Sequence, residues 1–144
     1  MKTNKGFSLL ELLIVVAIIL IIATIAIPSL LRSRQSANET SAVANMRNLN
    51  TAQVTYSSAN GGVYGDLPNL VAAGLIDGRY TSGSFSGFSY MVALSVTFRE
   101  YTMYATALSA NTSRFDYYST PDFVVRYATT ATRAPAGRTG QPVQ

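Results

Sequence analysis

Cysteine and histidine are both absent from these 144 residues, and charged side chains make up only 12% of them. Without cysteine there is no disulfide staple, no c-type haem attachment and no thiolate metal site, so stability must come from packing. Without histidine, none of the abundant Ser and Thr hydroxyls has an evident base to activate it. The acids Asp66, Asp77, Glu100, Asp116 and Asp122 do not follow the spacing of a calcium-binding loop. These absences argue against an enzyme, and no cofactor or metal is expected. A basic stripe is lacking too. Lys2 and Lys5 stand at the start, and the arginines fall singly at 32, 34, 47, 79, 99, 114, 126, 133 and 138, so nucleic acid is not supported as a primary ligand. Length and composition suit one small domain plus one apolar segment.

That apolar segment is what the chain does have. Residues 6 to 28 are Gly6-Phe-Ser-Leu-Leu-Glu11 followed by an unbroken aliphatic run to Pro28. The stretch from Phe7 to Ile27 is 21 residues long. As a helix it covers about 30 Å, the thickness of a bilayer's hydrocarbon core. Its one ionisable residue is Glu11, and a charged side chain at mid-membrane costs about 2.5–3.5 kcal/mol on insertion scales. Glu11 therefore calls for a cation. Lys2 and Lys5 lie before the run and belong on the cytoplasmic side by the positive-inside rule. A cut after Gly6 would instead give Phe7 a free α-amino group. In a bundle of identical, staggered helices, that amine can sit beside Glu11 of a neighbour, and burying the two together relieves the penalty on each. A secretory signal peptide would have a shorter apolar core, about 7–15 residues, with a cleavage site after it. A plain single-span anchor explains the length but gives no reason for Glu11.

The combination of a short leader Met1–Gly6, Phe7-Ser8-Leu9-Leu10-Glu11 and an apolar helix running to Pro28 closely resembles the class III signal of type IV prepilins and type II secretion pseudopilins. The resemblance covers roughly residues 1 to 55. It implies leader cleavage between Gly6 and Phe7 by a prepilin peptidase, N-methylation of Phe7 by the same enzyme, Glu11 as the assembly charge, and Pro28 as the helix proline that kinks or loosens the helix. It further implies a structural subunit of a type IV pilus. Such a subunit is held in the bacterial inner membrane as a single pass with its N-terminus cytoplasmic, then built into a helical homo-oligomeric filament at the cell surface by an assembly ATPase and a platform protein. Motility, adhesion and secretion are all roles open to such filaments. The alternatives are a pseudopilin or minor pilin of a type II secretion-like machine and, from a different class, a membrane-anchored binding domain that would tolerate Glu11→Ala.

Beyond Pro28 the pattern turns amphipathic. Val43, Met46, Leu49, Ala52 and Tyr56 recur at three- or four-residue steps, with Arg47, Asn48, Asn50 and Thr51 between them. Ser57 to Gly62 supplies helix-stop chemistry. Asp66 ahead of Leu67-Pro68 predicts a short helix over 67–73 ending at Gly74, and Asp77-Gly78 marks a turn. Strands are expected over 88–96, 101–108, 114–119 and 123–127, with Phe88, Tyr90, Val92 and Leu94 on one face and Thr102, Tyr104, Thr106 and Leu108 continuing it. The expected fold is α+β: a long N-terminal helix, membrane half plus amphipathic half, packed against a small antiparallel sheet. Its divisions are a leader (1–6), an apolar assembly helix (7–28), a globular domain (29–128) and a flexible C-terminal tail (129–144). Asp116 and Asp122 read as solvated turn acids, with a cation site as the alternative. The nine tyrosines read as strand residues packing a half-buried sheet. Asn38-Glu39-Thr40 and Asn111-Thr112-Ser113 match the N-glycosylation acceptor pattern.

Overall fold

The computed structural model describes residues 6–128 and 140–143. Their contacts divide the chain into two units, residues 1–34 and residues 35–144. Helix α1 (Leu9–Ala59) supplies the described helical part of the first unit and the first element of the second. Pro28 lies inside α1 and contributes no N–H to its ladder. Many hydroxyls along α1 bond back to their own helix. Ser33, Thr40, Ser41, Thr51, Thr55 and Ser58 each donate to the carbonyl four residues earlier, at 2.9–3.1 Å.

In the second unit α1 stops where its sequence says it should. Gly61 takes a φ of +69°, and the Gly62 N–H reaches the Ser57 carbonyl at 2.9 Å, the i to i−5 bond of a Schellman cap. The next helix, α2 (Leu67–Ala72), starts with the Asp66 carboxylate accepting from the Asn69 N–H at 2.8 Å. It ends with Gly74 at φ +70° and a Leu75 N–H to Leu70 carbonyl bond of 3.0 Å. Losing such an N-cap costs about 1 kcal/mol. Asp66→Ala should lower the urea midpoint of the folded chain slightly without changing the slope of the transition. The Asp77-Gly78 turn is the start of a 3-10 turn (Gly78–Thr81), capped by Asp77 accepting from the Arg79 N–H.

Five strands follow: β1 (Phe88–Leu94), β2 (Tyr101–Ala107), β3 (Tyr117–Ser119), β4 (Arg126–Tyr127) and β5 (Gln141–Pro142). They form one antiparallel meander in the order β1-β2-β3-β4-β5. The α+β fold of a long N-terminal helix and a small antiparallel sheet is therefore as expected. The core lies between α1 and one face of this sheet. Ala42, Met46 and Leu49 of the helix share it with Phe88, Tyr90, Tyr101, Met103, Ala105 and Tyr117.

Two expectations change. The inward face of β2 is Tyr101, Met103 and Ala105, not Thr102, Tyr104 and Thr106. The register sets Tyr90 opposite Ala105 and Val92 opposite Met103, and directly opposed residues share a face. The C-terminal segment also departs from a flexible tail where it is described: Gln141 and Pro142 pair with β4, and the Val143 N–H donates to the Val125 carbonyl at 2.8 Å. Pro142 is tolerated because β5 is an edge strand, where a missing N–H breaks no ladder bond. The remainder of that expectation, residues 129–139 and 144, lies outside the described residues.

The strands are shorter than the sequence suggests because neighbouring residues have other partners. Ser95 and Glu100 close the β1–β2 loop with a 2.9 Å backbone bond. Arg114 is drawn to α1 instead of into β3, its N–H donating to Glu39 Oε1 at 2.9 Å.

Candidate functional site

Three of the four expected functional residues, Gly6, Phe7 and Glu11, lie within six residues at the start of α1. Ser8 is the residue just before the helix. Its hydroxyl accepts from the Leu10 N–H at 3.3 Å, while its own N–H donates to Glu11 Oε2 at 2.9 Å. This is a capping box, Ser-x-x-Glu, in which two orphan N–H groups of the helix end are satisfied reciprocally. A negative charge in the first turn also suits the positive end of the helix dipole. Glu11 thus has a local partner that was readable in the sequence as Ser-x-x-Glu. Lys2 and Lys5 lie outside the described residues.

Around this cap the surface is bare. Phe7 is 85% exposed, and among the described residues nothing stands within 4 Å of the position a side chain on Gly6 would take. The aliphatic side chains that follow are exposed on every side of the helix, including Leu9, Leu13, Ile18, Leu20 and Ile25. A helix apolar all round is not a surface helix of a water-soluble domain and calls for lipid or partner helices. Among the described residues α1 is the helix long and apolar enough to cross a membrane. Pro28 stands apart from the Gly6–Glu11 cluster, seventeen residues further along the helix from Glu11.

In the second unit the acids serve the fold. Glu39, buried on α1, accepts from the Arg114 guanidinium at 2.8 and 3.1 Å, from the Arg114 N–H at 2.9 Å and from the Ser113 hydroxyl at 3.3 Å. Burial pushes its carboxyl up, and the bonds from Arg114 more than reverse that, leaving it below its ordinary value. Asp122 is opposed by burial in the same way and brought down to about 2, chiefly by Arg126, its ion-pair partner at 2.6 Å. Asp116 is buried and accepts from the Ala107 N–H at 2.8 Å. Neither Asp116 nor Asp122 is a solvated turn acid, because each is held against the sheet by hydrogen bonds. No group of three potential metal ligands occurs among the described residues.

A lowered carboxyl stabilises the fold fully above its unfolded pKa, and that stability is lost as pH falls through the folded value. Glu39 and Asp122 should both act in this direction. The urea midpoint is expected to be level near neutrality and to fall from about pH 4 downward. Glu39→Gln should flatten part of that slope.

Polar residues in the helix stripe were missed from the sequence. Asn50 donates to the Ser119 hydroxyl at 2.9 Å and accepts from the Tyr101 hydroxyl at 3.0 Å. Gln53 brackets Gly65 with bonds of 2.6 and 3.1 Å. The tyrosines do pack the sheet: Tyr80, Tyr90, Tyr101, Tyr117 and Tyr118 are all buried, and burial raises the Tyr90 hydroxyl to about 12. Of the two glycosylation patterns, Asn38 spends its amide N–H on the Thr112 carbonyl at 3.0 Å, whereas Asn111 sits exposed in the β2–β3 loop.

Residues 1–27 match the family model described as the prokaryotic N-terminal methylation motif. The chain carries a prepilin-type N-terminus and is similar to type IV pilins. The type IV wide pilus major component PilA4 of Thermus thermophilus is 40% identical to it over 75 residues, 52% of this chain and 57% of that protein. The type IV major pilin protein PilA of Myxococcus xanthus is 42% identical over 68 residues, 47% of this chain and 30% of that protein. The matches thus span little more than half of one pilin and under a third of the other. The methylation motif takes in Gly6, Phe7 and Glu11 and ends one residue before Pro28.

Proposed function

We propose that this chain is a structural subunit of a type IV pilus. The observation that carries the reading is the methylation motif over residues 1–27 on a helix whose apolar surface is uncovered all round. Such a helix is stored in the inner membrane as a single pass, with Lys2 and Lys5 on the cytoplasmic side. A prepilin peptidase cuts between Gly6 and Phe7 and methylates Phe7. An assembly ATPase and platform protein then move the helix from lipid into a bundle of its own copies. Apolar burial changes little in that exchange, since partner helices replace lipid tails, so register falls to the charges. In storage the Glu11 carboxylate is held by the Ser8 N–H. In the filament it gains the Phe7 amine of a neighbour. Pro28, with no N–H of its own, is the point at which the helix loosens under packing or tension.

Both named relatives are described as major pilus components, which favours a main filament subunit over a pseudopilin. Mass spectrometry of the chain from sheared surface material and from membranes tests this. N-methyl-Phe7 chains dominating the sheared fraction are the expected result. Processed chains confined to membranes would turn the reading to a pseudopilin or minor pilin, and an uncut Met1–Gly6 leader in both fractions would overturn it.

A further inference from the structure

The second unit carries a projecting loop with two exposed apolar side chains and a groove of mixed lining, in which Val54 and Phe123 lie among Arg47, Asn50, Thr51 and Thr55. The loop is the one between β1 and β2. Val96 at its tip is 97% exposed and Phe98 is 52% exposed. The groove, about 420 Å³, runs along α1 between Arg47, Thr51 and Val54 on the helix and Phe123 in the β3–β4 loop. Val54 and Phe123 are each 44% exposed.

Both exposed phenylalanines are held in place by unusual backbone. Phe98 has φ +56° and Phe123 has φ +61°, left-handed conformations that bulky L residues avoid. Each is pinned on both sides. The Phe98 N–H donates to the Ser95 carbonyl and the Phe98 carbonyl accepts from the Tyr64 N–H at 2.7 Å. The Phe123 N–H donates to the Thr120 carbonyl at 2.9 Å, and the Phe123 carbonyl accepts from the Asn50 side-chain amide at 3.3 Å. Strained backbone of this kind persists only where its surroundings over-determine it. Here it holds the backbone of two half-exposed phenylalanines in place.

Charge indicates what meets what. Glu100 lies at the base of the loop and Arg47 borders the groove. Both are exposed, and neither takes part in an ion pair among the described residues; Arg99, beside Glu100 in the loop, is also exposed and outside the ion pairs described, so it is Glu100 and not the loop's net charge that complements Arg47. We propose that the β1–β2 loop of one copy docks in the α1–Phe123 groove of a second copy, with Val96 and Phe98 against Val54 and Phe123 and with Glu100 facing Arg47. Different surfaces meet across this contact, so it is heterologous, and repeating it extends an open helical array instead of closing a dimer. The proposal rests on the filament reading and names the surface through which the folded units add to one another.

The absence of native cysteine makes the test clean. Full-length Thr51→Cys/Thr97→Cys chains, made in the native cells in place of the unsubstituted chain, are oxidised mildly in sheared fibres. A ladder of covalently linked subunits from the double variant, with monomers only from each single variant, is expected. Fibres of normal yield that give only monomers overturn the docking contact and leave the filament reading intact. In the same native cells, an unsubstituted chain that is absent from the sheared fibres overturns the filament reading itself. Where the cysteine pair blocks assembly, charge reversal decides. Arg47→Glu and Glu100→Arg should each reduce fibre yield about tenfold, the effect of one lost intersubunit contact, and the double reversal should restore it. Failure of that rescue also overturns the contact.

Discussion

Glu11→Gln is expected to leave the chain cleaved after Gly6 and retained in the membrane, with surface fibres reduced by more than about a hundredfold. Removing one partner of a buried ion pair costs about 3–5 kcal/mol, because the other charge stays buried and unpaired. In the proposed filament the stranded charge is the Phe7 amine of a neighbouring copy. Glutamine is the informative replacement. Its side-chain carbonyl can still accept from the Ser8 N–H, so the capping box survives while the negative charge is gone. Glu11→Ala removes both and should additionally fray the first turn. Immunoblots of sheared and membrane fractions, read alongside the N-terminal mass, separate assembly from cleavage. Normal fibre yield from Glu11→Gln would show that Glu11 acts through its cap and not its charge, and the charge-pair mechanism would then have to be abandoned.

Phe88→Ala should produce the largest loss of folding stability in the second unit. The Phe88 side chain is fully buried, opposes Ala107 across β1–β2, and has its ring 5.9 Å from that of Tyr117. Truncating a buried phenylalanine costs about 3–5 kcal/mol, against a total domain stability of about 5–15 kcal/mol. Urea titration of the detergent-solubilised chain, followed by the near-ultraviolet tyrosine signal, should show the midpoint falling by on the order of 2 M. Val96→Ala is the matched control. That side chain is almost wholly exposed, and its loss should move the midpoint hardly at all while weakening fibres. A variant with intact folding and poor fibres is the signature of a contact surface, and the Phe88 and Val96 pair separates the two effects.

Local chemistry made several parts of this molecule legible. Gly61, Gly74, Asp66 and Asp77 end or begin their elements where their φ angles and hydrogen bonds require it, and each signal lies within a few residues of its effect. The candidate site is similar: Gly6, Phe7, Ser8 and Glu11 form one contiguous stretch whose order carries its meaning. What could not be read depends on distant partners. Glu39 and Asn50 look like solvent-facing helix residues until Arg114 and Ser119, 75 and 69 positions away, arrive against them. In β2 both faces carry large side chains, Tyr101 and Met103 on one and Thr102 and Tyr104 on the other. The alternation alone could not say which set points inward, and pairing with β1 decided it. Strand β5 has no strand-forming composition of its own and exists through its partner β4.

The hydroxyls along α1 have a consequence for how copies can move. Ser33, Thr40, Ser41, Thr51, Thr55 and Ser58 each direct their O–H into a carbonyl of their own helix. A donor satisfied in this way does not need water and does not need a neighbour. Brought against a second surface, none of these six leaves its O–H stranded, whichever way the surfaces are rotated or slid. Sliding a partner along these positions would then break few hydrogen bonds, and in the proposed fibre the subunits could shift under load while each keeps these bonds whole.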